Sequence, residues 1–420
     1  MQSSSKLVTS VIVTALVVSL VWYAALPMLV PSKTAQEAPV TTPEQSRVIK
    51  IGGTLPLSGQ FSPVAGTFNR LYDAWATQIN ERGGLYVSEY GKRLPVKVIV
   101  YDDQSDATTA TRLYEKLISE DKVDVLIGPY SSTLTVPLVA VATRNSIPLI
   151  ATSAGAPPIF NQGSDWVFVG IDLITNWPKT YFDMVKAKGQ AKTIGFVATD
   201  EPFGQGVLAG GKTFAPQAGL TIISENIVPV GTKDFTAAII KLKEANPDIV
   251  FVAALAPDAA TFVKQAKEQG LKPREFHVPQ LVKGFIESVG VDSANYITGE
   301  WYWTDDVLYG GVWGKEMFMQ AMAKAGITNV DYPWAAVHYY GLEIIGAAIE
   351  RVGTLDKAKL KDGLKNLSIP TISGEVHFKS FGNFKGVGTL VPFPVQMQNG
   401  KVVVVWPSET KKGDYTYPSP

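Results

Sequence analysis

No cysteine occurs in the 420 residues, which excludes disulfides, thiolate catalysis and attachment of a lipid through a lipobox cysteine. Histidine is scarce: His277, His338 and His377 stand far apart, without the H-E-x-x-H or comparable spacing of a metal site. Each is expected to be a surface or satisfied structural residue. Charge of one sign is missing too, with 38 basic residues against 38 acidic ones. With no basic stripe, electrostatics leaves no footprint for nucleic acid. Charged residues are only 18% and apolar ones 46%, the composition of a well-buried protein and not of a disordered one. There is no G-x-x-x-x-G-K-[ST] loop and no G-x-S-x-G elbow. Gly204-Gln205-Gly206 with Gly210 spells G-x-G-x-x-x-G and lacks an acidic ribose partner ~20 residues on. It reads as close helix packing, not as a nucleotide loop.

One long apolar run is present. It extends over residues 7–30, behind Lys6. A signal peptide's apolar region is usually ~7–15 residues, whereas a spanning helix needs ~20. An uncleaved hydrophobic helix over residues 1–30 is therefore the first reading, a long cleaved signal the second and a buried core helix the third. Lys6 favours a cytoplasmic N-terminus, and Trp22 and Tyr23 suit the membrane interface. Both leading readings send the rest of the chain outside the cytoplasm. Residues 31–47, rich in Pro, Thr, Ser and Gln, read as a flexible tether.

From Val48 onward apolar strands alternate with amphipathic helices, the pattern of parallel, doubly wound sheets with right-handed crossovers. A first run predicts a strand from residue 48, a helix over 66–80 stopped by Arg82-Gly83-Gly84, a strand over 94–101 and a helix capped by Asp106. A second run starts near Trp166, with strands over 193–198, 220–228 and 249–253 and a helix after each. Residues 374–378 and 391–405 read as late strands, and residues 411–420 as a loose end.

The strands predicted over residues 123–128 and 147–151 run straight into turns of small and hydroxyl residues, Gly128-Pro129-Tyr130-Ser131-Ser132 and Thr152-Ser153-Ala154-Gly155-Ala156. In open α/β sheets ligands sit in the crevice outside the carboxyl ends of the strands, and hydroxyls with free N–H groups there suit a small anion. Ser58, Ser131, Ser132 and Ser153 have no histidine nearby in sequence and fit hydrogen-bond donors better than nucleophiles; simple turn chemistry explains them equally well. Asp102-Asp103, adjacent at a strand end, point opposite ways and make a poor acid–base pair. Helix capping or a contact between lobes is the expected role. Tyr130, Phe203, Trp301 and Trp303 are candidate pocket walls.

In their order and spacing, several segments resemble the leucine/isoleucine/valine-binding type of ABC-transporter solute-binding protein. They are Ile49-Lys50-Ile51-Gly52 through Leu57-Ser58-Gly59, Ile79-Asn80-Glu81-Arg82-Gly83-Gly84, the Val100 to Asp106 stretch, Ile127-Gly128-Pro129-Tyr130-Ser131-Ser132, Lys233-Asp234-Phe235 and Gly382-Asn383-Phe384-Lys385-Gly386. The resemblance implies a type I periplasmic binding protein fold: α/β, two Rossmann-like doubly wound lobes joined by a three-strand hinge, here preceded by the N-terminal hydrophobic helix. It implies crossings near Ile171, Tyr302 and Gly388, with lobe 1 from residues 48–171 plus 303–388 and lobe 2 from 172–302 plus 389–408, leaving a tail over 409–420. It places a carboxylate-binding serine at Ser132 beside Tyr130 and Ser131, an amino-group carbonyl at Ala154 followed by Gly155, an aromatic at Phe203 and an apolar wall at Trp334, with Trp301 beside them. Three positions depart from the resemblance: Ala156 stands for a threonine, Leu255 for a tyrosine and Gln280 for the acidic partner of an ammonium. A buried ammonium without a carboxylate costs several kcal/mol, so the implied ligand is a carboxylate or amide with an apolar body, not an ordinary amino acid.

The expectation is thus a non-enzymatic, extracytoplasmic solute-binding protein with no cofactor and no metal. Its implied partners are a small-molecule ligand, the permease subunits of an ABC importer and, through the N-terminal helix, the membrane. A sensory ligand-binding module of the same fold is the alternative, weakened by how little precedes Leu7.

Overall fold

Runs such as Ile249-Val250-Phe251-Val252-Ala253, buried at every position, are what a parallel strand covered on both faces requires. The computed structural model describes residues 47–306, 309–328 and 332–420 and assembles such runs into two seven-stranded sheets. The first has the order Lys379–Phe381, Phe384–Leu390, Val167–Ile171, Leu149–Ala151, Val125–Ile127, Ile49–Leu55, Val96–Asp102. All its pairings are parallel except the Lys379–Phe381 edge. The second runs Lys401–Val404, Phe393–Gln398, Thr298–Trp301, Glu275–His277, Ile249–Ala253, Thr193–Thr199, Thr221–Val228. Both pairings of its Phe393–Gln398 strand, with Thr298–Trp301 and with Lys401–Val404, are antiparallel and the rest are parallel. Helices cover the sheets to give two α/β lobes.

The chain passes between the lobes three times: after Val167–Ile171, after Thr298–Trp301 and between Leu390 and Phe393. The connectors lie side by side, since Asp172 N–H donates to the Leu390 carbonyl at 2.9 Å and Trp301 sits opposite Phe393 in the ladder. Beyond the second crossing the chain returns to the first lobe, where Gln78 donates to the Met317 carbonyl at 3.0 Å.

Local chemistry sets the element ends. Asp106 accepts from Thr109 N–H at 2.7 Å as the expected N-cap. The helix expected over 66–80 is Phe68–Glu81, preceded by a separate turn, Ser62–Ala65. It ends at Gly84, whose φ of 95° lies in the left-handed region and whose position leaves no room for a side chain, as a Cβ would meet the Leu94 carbonyl at 2.1 Å. Gly206 and Gly210 lay the Pro202–Gln217 helix against the first crossing, their missing Cβ positions falling 2.5 Å from Ile174 and 2.3 Å from the Thr175 carbonyl. The glycine spacing is packing, as its sequence context indicated.

Three expectations change. The Phe384–Leu390 strand, not foreseen, completes the first sheet. Residues 391–405 form a hairpin, Phe393–Gln398 with Lys401–Val404, turned by Asn399-Gly400 with φ of 50° and 78°, the backbone signature of a two-residue hairpin turn. Residues 411–420 are not loose. Thr416 exchanges two 2.9 Å bonds with the Gln396 side chain, Tyr415 donates to Glu275, and Ser419 N–H reaches the Arg274 carbonyl at 2.8 Å. The hydrophobic segment 1–30 and the tether up to residue 46 lie outside the described residues. Among the described residues no helix is long and apolar enough to cross a membrane.

Candidate functional site

The two strand-end turns meet where the lobes face each other. Tyr130 and Ser153 form a parallel bridge between them, and Ser131 breaks into the Ser132–Arg144 helix with φ of 78°. A non-glycine residue held there is strained and persists only when its surroundings fix it. Here the Ser131 carbonyl takes the Thr135 hydroxyl at 2.8 Å. The Ser132 hydroxyl accepts the N–H groups of Gly155 and Ala156, both at 3.3 Å, and so ties the second turn to the start of the helix. A hydroxyl carries one proton and two lone pairs, and no acceptor among the described residues takes the proton of Ser132.

The opposite wall comes from the second lobe. Phe203 follows Glu201, the N-cap of the Pro202–Gln217 helix. The Glu201 carboxylate accepts Phe203 N–H at 2.8 Å, Gly204 N–H at 2.6 Å and the Thr199 hydroxyl at 3.2 Å. It also accepts the Thr133 hydroxyl of the first lobe at 2.9 Å. Gln280, only 1% exposed, accepts the Tyr130 hydroxyl at 3.3 Å across the same gap. Burial and the facing Glu201 carboxylate push the Tyr130 phenol up, so it stays a neutral donor.

Aromatic rings fill the junction. Trp177, on the first crossing, packs on Phe203 at 5.3 Å, Tyr302 at 5.5 Å and Trp334 at 5.9 Å between centroids. Trp334 also meets Tyr130 edge-on at 5.9 Å, and Tyr130 meets Phe61 at 5.6 Å. The structure thus brings Tyr130, Ser131, Ser132, Ala154, Gly155, Ala156, Phe203, Gln280 and Trp334 to one junction. Leu255, buried at the start of the Ala256–Glu268 helix, offers only aliphatic surface. Trp301 spends its indole N–H on the Leu281 carbonyl at 2.7 Å, supporting the loop that carries Gln280; Tyr302 takes the ring position in its place. Trp303 packs edge-on against Phe318 in the first lobe.

Trp177, Tyr302, Glu201 and Thr133 escaped the sequence reading. The first two flank the crossings, and an aromatic within a few residues of a crossing was the available signal.

Other candidates resolve into structure. Ser58 donates to Asp102 at 2.7 Å and is no anion ligand. Asp102 and Asp103 neither cap a helix nor join the lobes. They brace the turn around them, accepting from Ser58 and Gln104, and from Thr54 and Ser105. Burial raises Asp103 to about 6. The fold does bring a histidine to Ser153, since His338 Nε2 lies 3.2 Å from its hydroxyl with Tyr72 on Nδ1 at 2.7 Å. Burial pushes His338 down to about 3, far from the value near 7 that suits a general base. His277 is likewise buried, between Thr298 at 2.9 Å and Glu300 at 3.4 Å. Among the described residues no group of three or more His, Cys, Asp or Glu is placed to hold a metal.

Known proteins with this architecture follow from sequence and from structure. The family model described as "Periplasmic binding protein" matches residues 48–388. Leu/Ile/Val-binding protein homolog 7 of Brucella abortus is 24% identical over 375 residues, covering 86% of this chain and 91% of its own. The branched-chain amino acid transporter substrate binding protein of Streptococcus pneumoniae, solved with isoleucine, superposes with a TM-score of 0.72 at 23% identity, over 85% of this chain and 98% of that one. A solute binding protein of an ABC transporter from Rhodopseudomonas palustris, solved with benzoate, gives 0.69 at 20% identity, over 88% and 99%.

Proposed function

The chain belongs to the periplasmic binding protein family, and on that premise we propose that it is the extracytoplasmic solute-binding component of an ABC importer of the branched-chain amino acid and amide type. It closes two lobes on a small organic ligand by hinge motion and presents the closed form to the permease. In this reading lobe 1 is residues 48–171 with 303–390, and lobe 2 is 172–302 with 391–408, the third boundary falling just after the expected 388 because the Phe384–Leu390 strand belongs to the first sheet. A helix within residues 1–30 tethers the protein to the cytoplasmic membrane.

The observation that carries the reading is the state of Ser132. It opens a 13-residue helix, fixes both turns by accepting two N–H groups, and keeps its own proton for a ligand. The ligand is a carboxylate or amide with an apolar body: Ser132 holds its polar end, and Tyr130, Phe203 and Trp334 surround the rest. Gln280, at the position expected to hold an acid, gives its oxygen to Tyr130, and Glu201 already accepts four hydrogen bonds. Gln280 carries no charge and Glu201 already holds four donors, so neither supplies the carboxylate an α-ammonium needs, and burying one unpaired costs several kcal/mol. Among the neighbours, the one solved with benzoate holds a ligand without an ammonium.

A thermal-shift screen of amino acids, amides and aliphatic and aromatic acids identifies the ligand. By calorimetry, Ser132→Ala should weaken its binding about tenfold or more, since a hydrogen bond to a charged group is worth ~1.5–3 kcal/mol. Unchanged affinity would remove Ser132 from the site. A submicromolar affinity for leucine, isoleucine or valine would overturn the exclusion of zwitterions.

A further inference from the structure

Two buried indole donors at the lobe junction have no acceptor among the described residues. Trp177, 3% exposed, stands on the first crossing, and Trp334, 4% exposed, on the Tyr332–Val352 helix of the first lobe. Their rings are 5.9 Å apart and inclined by 63°. Each indole nitrogen is buried, and among the described residues neither finds an acceptor. Indole N–H is a donor only, and a buried donor left unpaired is costly enough that native structures rarely keep one without a reason.

The fold satisfies an indole elsewhere in the same region, where Trp301 donates to the Leu281 carbonyl at 2.7 Å. Trp75 shares the unpaired state but stands alone against Trp313 in the first lobe. Trp177 and Trp334 differ in being a pair, one on the first crossing and one on a helix of the first lobe. The side-chain carboxylate of the site, Glu201, already accepts from Phe203, Gly204, Thr199 and Thr133, and Gln280 Oε1 accepts from Tyr130. With the Ser132 proton added, the junction holds three donors that no acceptor among the described residues takes.

Resting on the solute-binding reading of this cleft, we propose that the indole N–H groups of Trp177 and Trp334 bind acceptor oxygen of the solute, selecting a carboxylate that carries no cationic group. An aromatic box of this kind also suits a quaternary ammonium held by cation–π attraction. A cation, however, would leave both indole donors unpaired, and the geometry therefore points to the anion.

The test uses the wild-type protein with Trp177→Phe and Trp334→Phe, which keep a ring and delete the N–H. Calorimetry is run with benzoate, 4-hydroxybenzoate, 3-methylbutanoate, isoleucine and choline. The expected result is that a carboxylate of the panel binds the wild type and that each Phe variant binds it about tenfold or more weakly, as for a lost charge-assisted hydrogen bond. In the wild type, both indole ¹⁵N–¹H resonances should move downfield when that carboxylate is added, a readout that stands even if a variant fails to fold. Wild-type binding with both variants within twofold, or with both resonances unmoved, overturns the indole pair alone. Choline binding more tightly than every carboxylate overturns the anion. If the wild type binds none of this panel and none of the acids, amides and amino acids of the thermal-shift screen, the solute-binding reading falls with it.

Discussion

Thr133→Val is the sharpest probe of closure, because it removes one hydroxyl and preserves the shape of the side chain. The Thr133 hydroxyl, on the first lobe, donates to Glu201 of the second at 2.9 Å. That bond exists only while the lobes are together, so its loss acts on the closed state and not on the folding of either lobe. Hydrogen bonds to charged groups contribute ~1.5–3 kcal/mol. Thr133 is half-buried, and water competes for the carboxylate, which puts the loss at the low end, about 1.5 kcal/mol. A ligand that binds only the closed form feels all of it, and Kd should rise about tenfold. Most of the change should fall on dissociation, as is usual within one interface. Urea unfolding of the unliganded protein should be nearly unaffected by Thr133→Val. Glu201→Ala, by contrast, also removes a helix cap bonded to Phe203 and Gly204 and should lower stability by ~1–2 kcal/mol. Calorimetry on Thr133→Val, Glu201→Gln and the double variant measures the coupling directly. A Kd within twofold of wild type for Thr133→Val, or a coupling below about 0.3 kcal/mol, would refute the assignment of this bond to closure.

Two further outcomes concern the scaffold. Gly210→Ala would place a Cβ 2.3 Å from the Thr175 carbonyl and 3.0 Å from Pro178, both part of the first crossing; forcing them apart should cost ~1–3 kcal/mol by urea unfolding, and an unchanged midpoint would show that the helix has room there. Glu275 tests linkage. Burial raises its carboxyl from 4.5 to about 7, so the folded protein holds a proton that the unfolded chain releases. The group's contribution is complete below about pH 4.5 and is lost as pH rises towards 7, by on the order of 3 kcal/mol over the interval. Glu275→Gln should flatten the decline of stability between about pH 5 and pH 7.5, and an equally steep decline in the variant would contradict the raised value.

Much of the candidate site was legible because its residues sit where a short-range rule places them. Strands that end in small and hydroxyl residues announce the turns carrying Tyr130, Ser132 and Ala156, and the fold sets those turns side by side through the Tyr130–Ser153 bridge. The late hairpin was half visible: the Asn399-Gly400 pair is its local signal, but residues 391–405 read as one unbroken strand. The docking of residues 411–420 had no local signal. It depends on Glu275 and Gln396, well over a hundred residues away in one case and about twenty in the other. Ser153 and His338 show the same limit, meeting across 185 positions.

By itself the sequence determined the class of the protein: continuous apolar strands alternating with amphipathic helices are buried as doubly wound α/β lobes, and chain-local turns mark the carboxyl ends of their strands. Tertiary structure alone decided which groups face those turns. Whether Trp301 or Tyr302 enters the aromatic junction, that Trp177 meets Trp334, and that Glu201 is spent on a helix end and on Thr133 are set by where three crossings run. The energies that choose among them, burial and hydrogen bonding between segments far apart in the chain, have no period or motif along it.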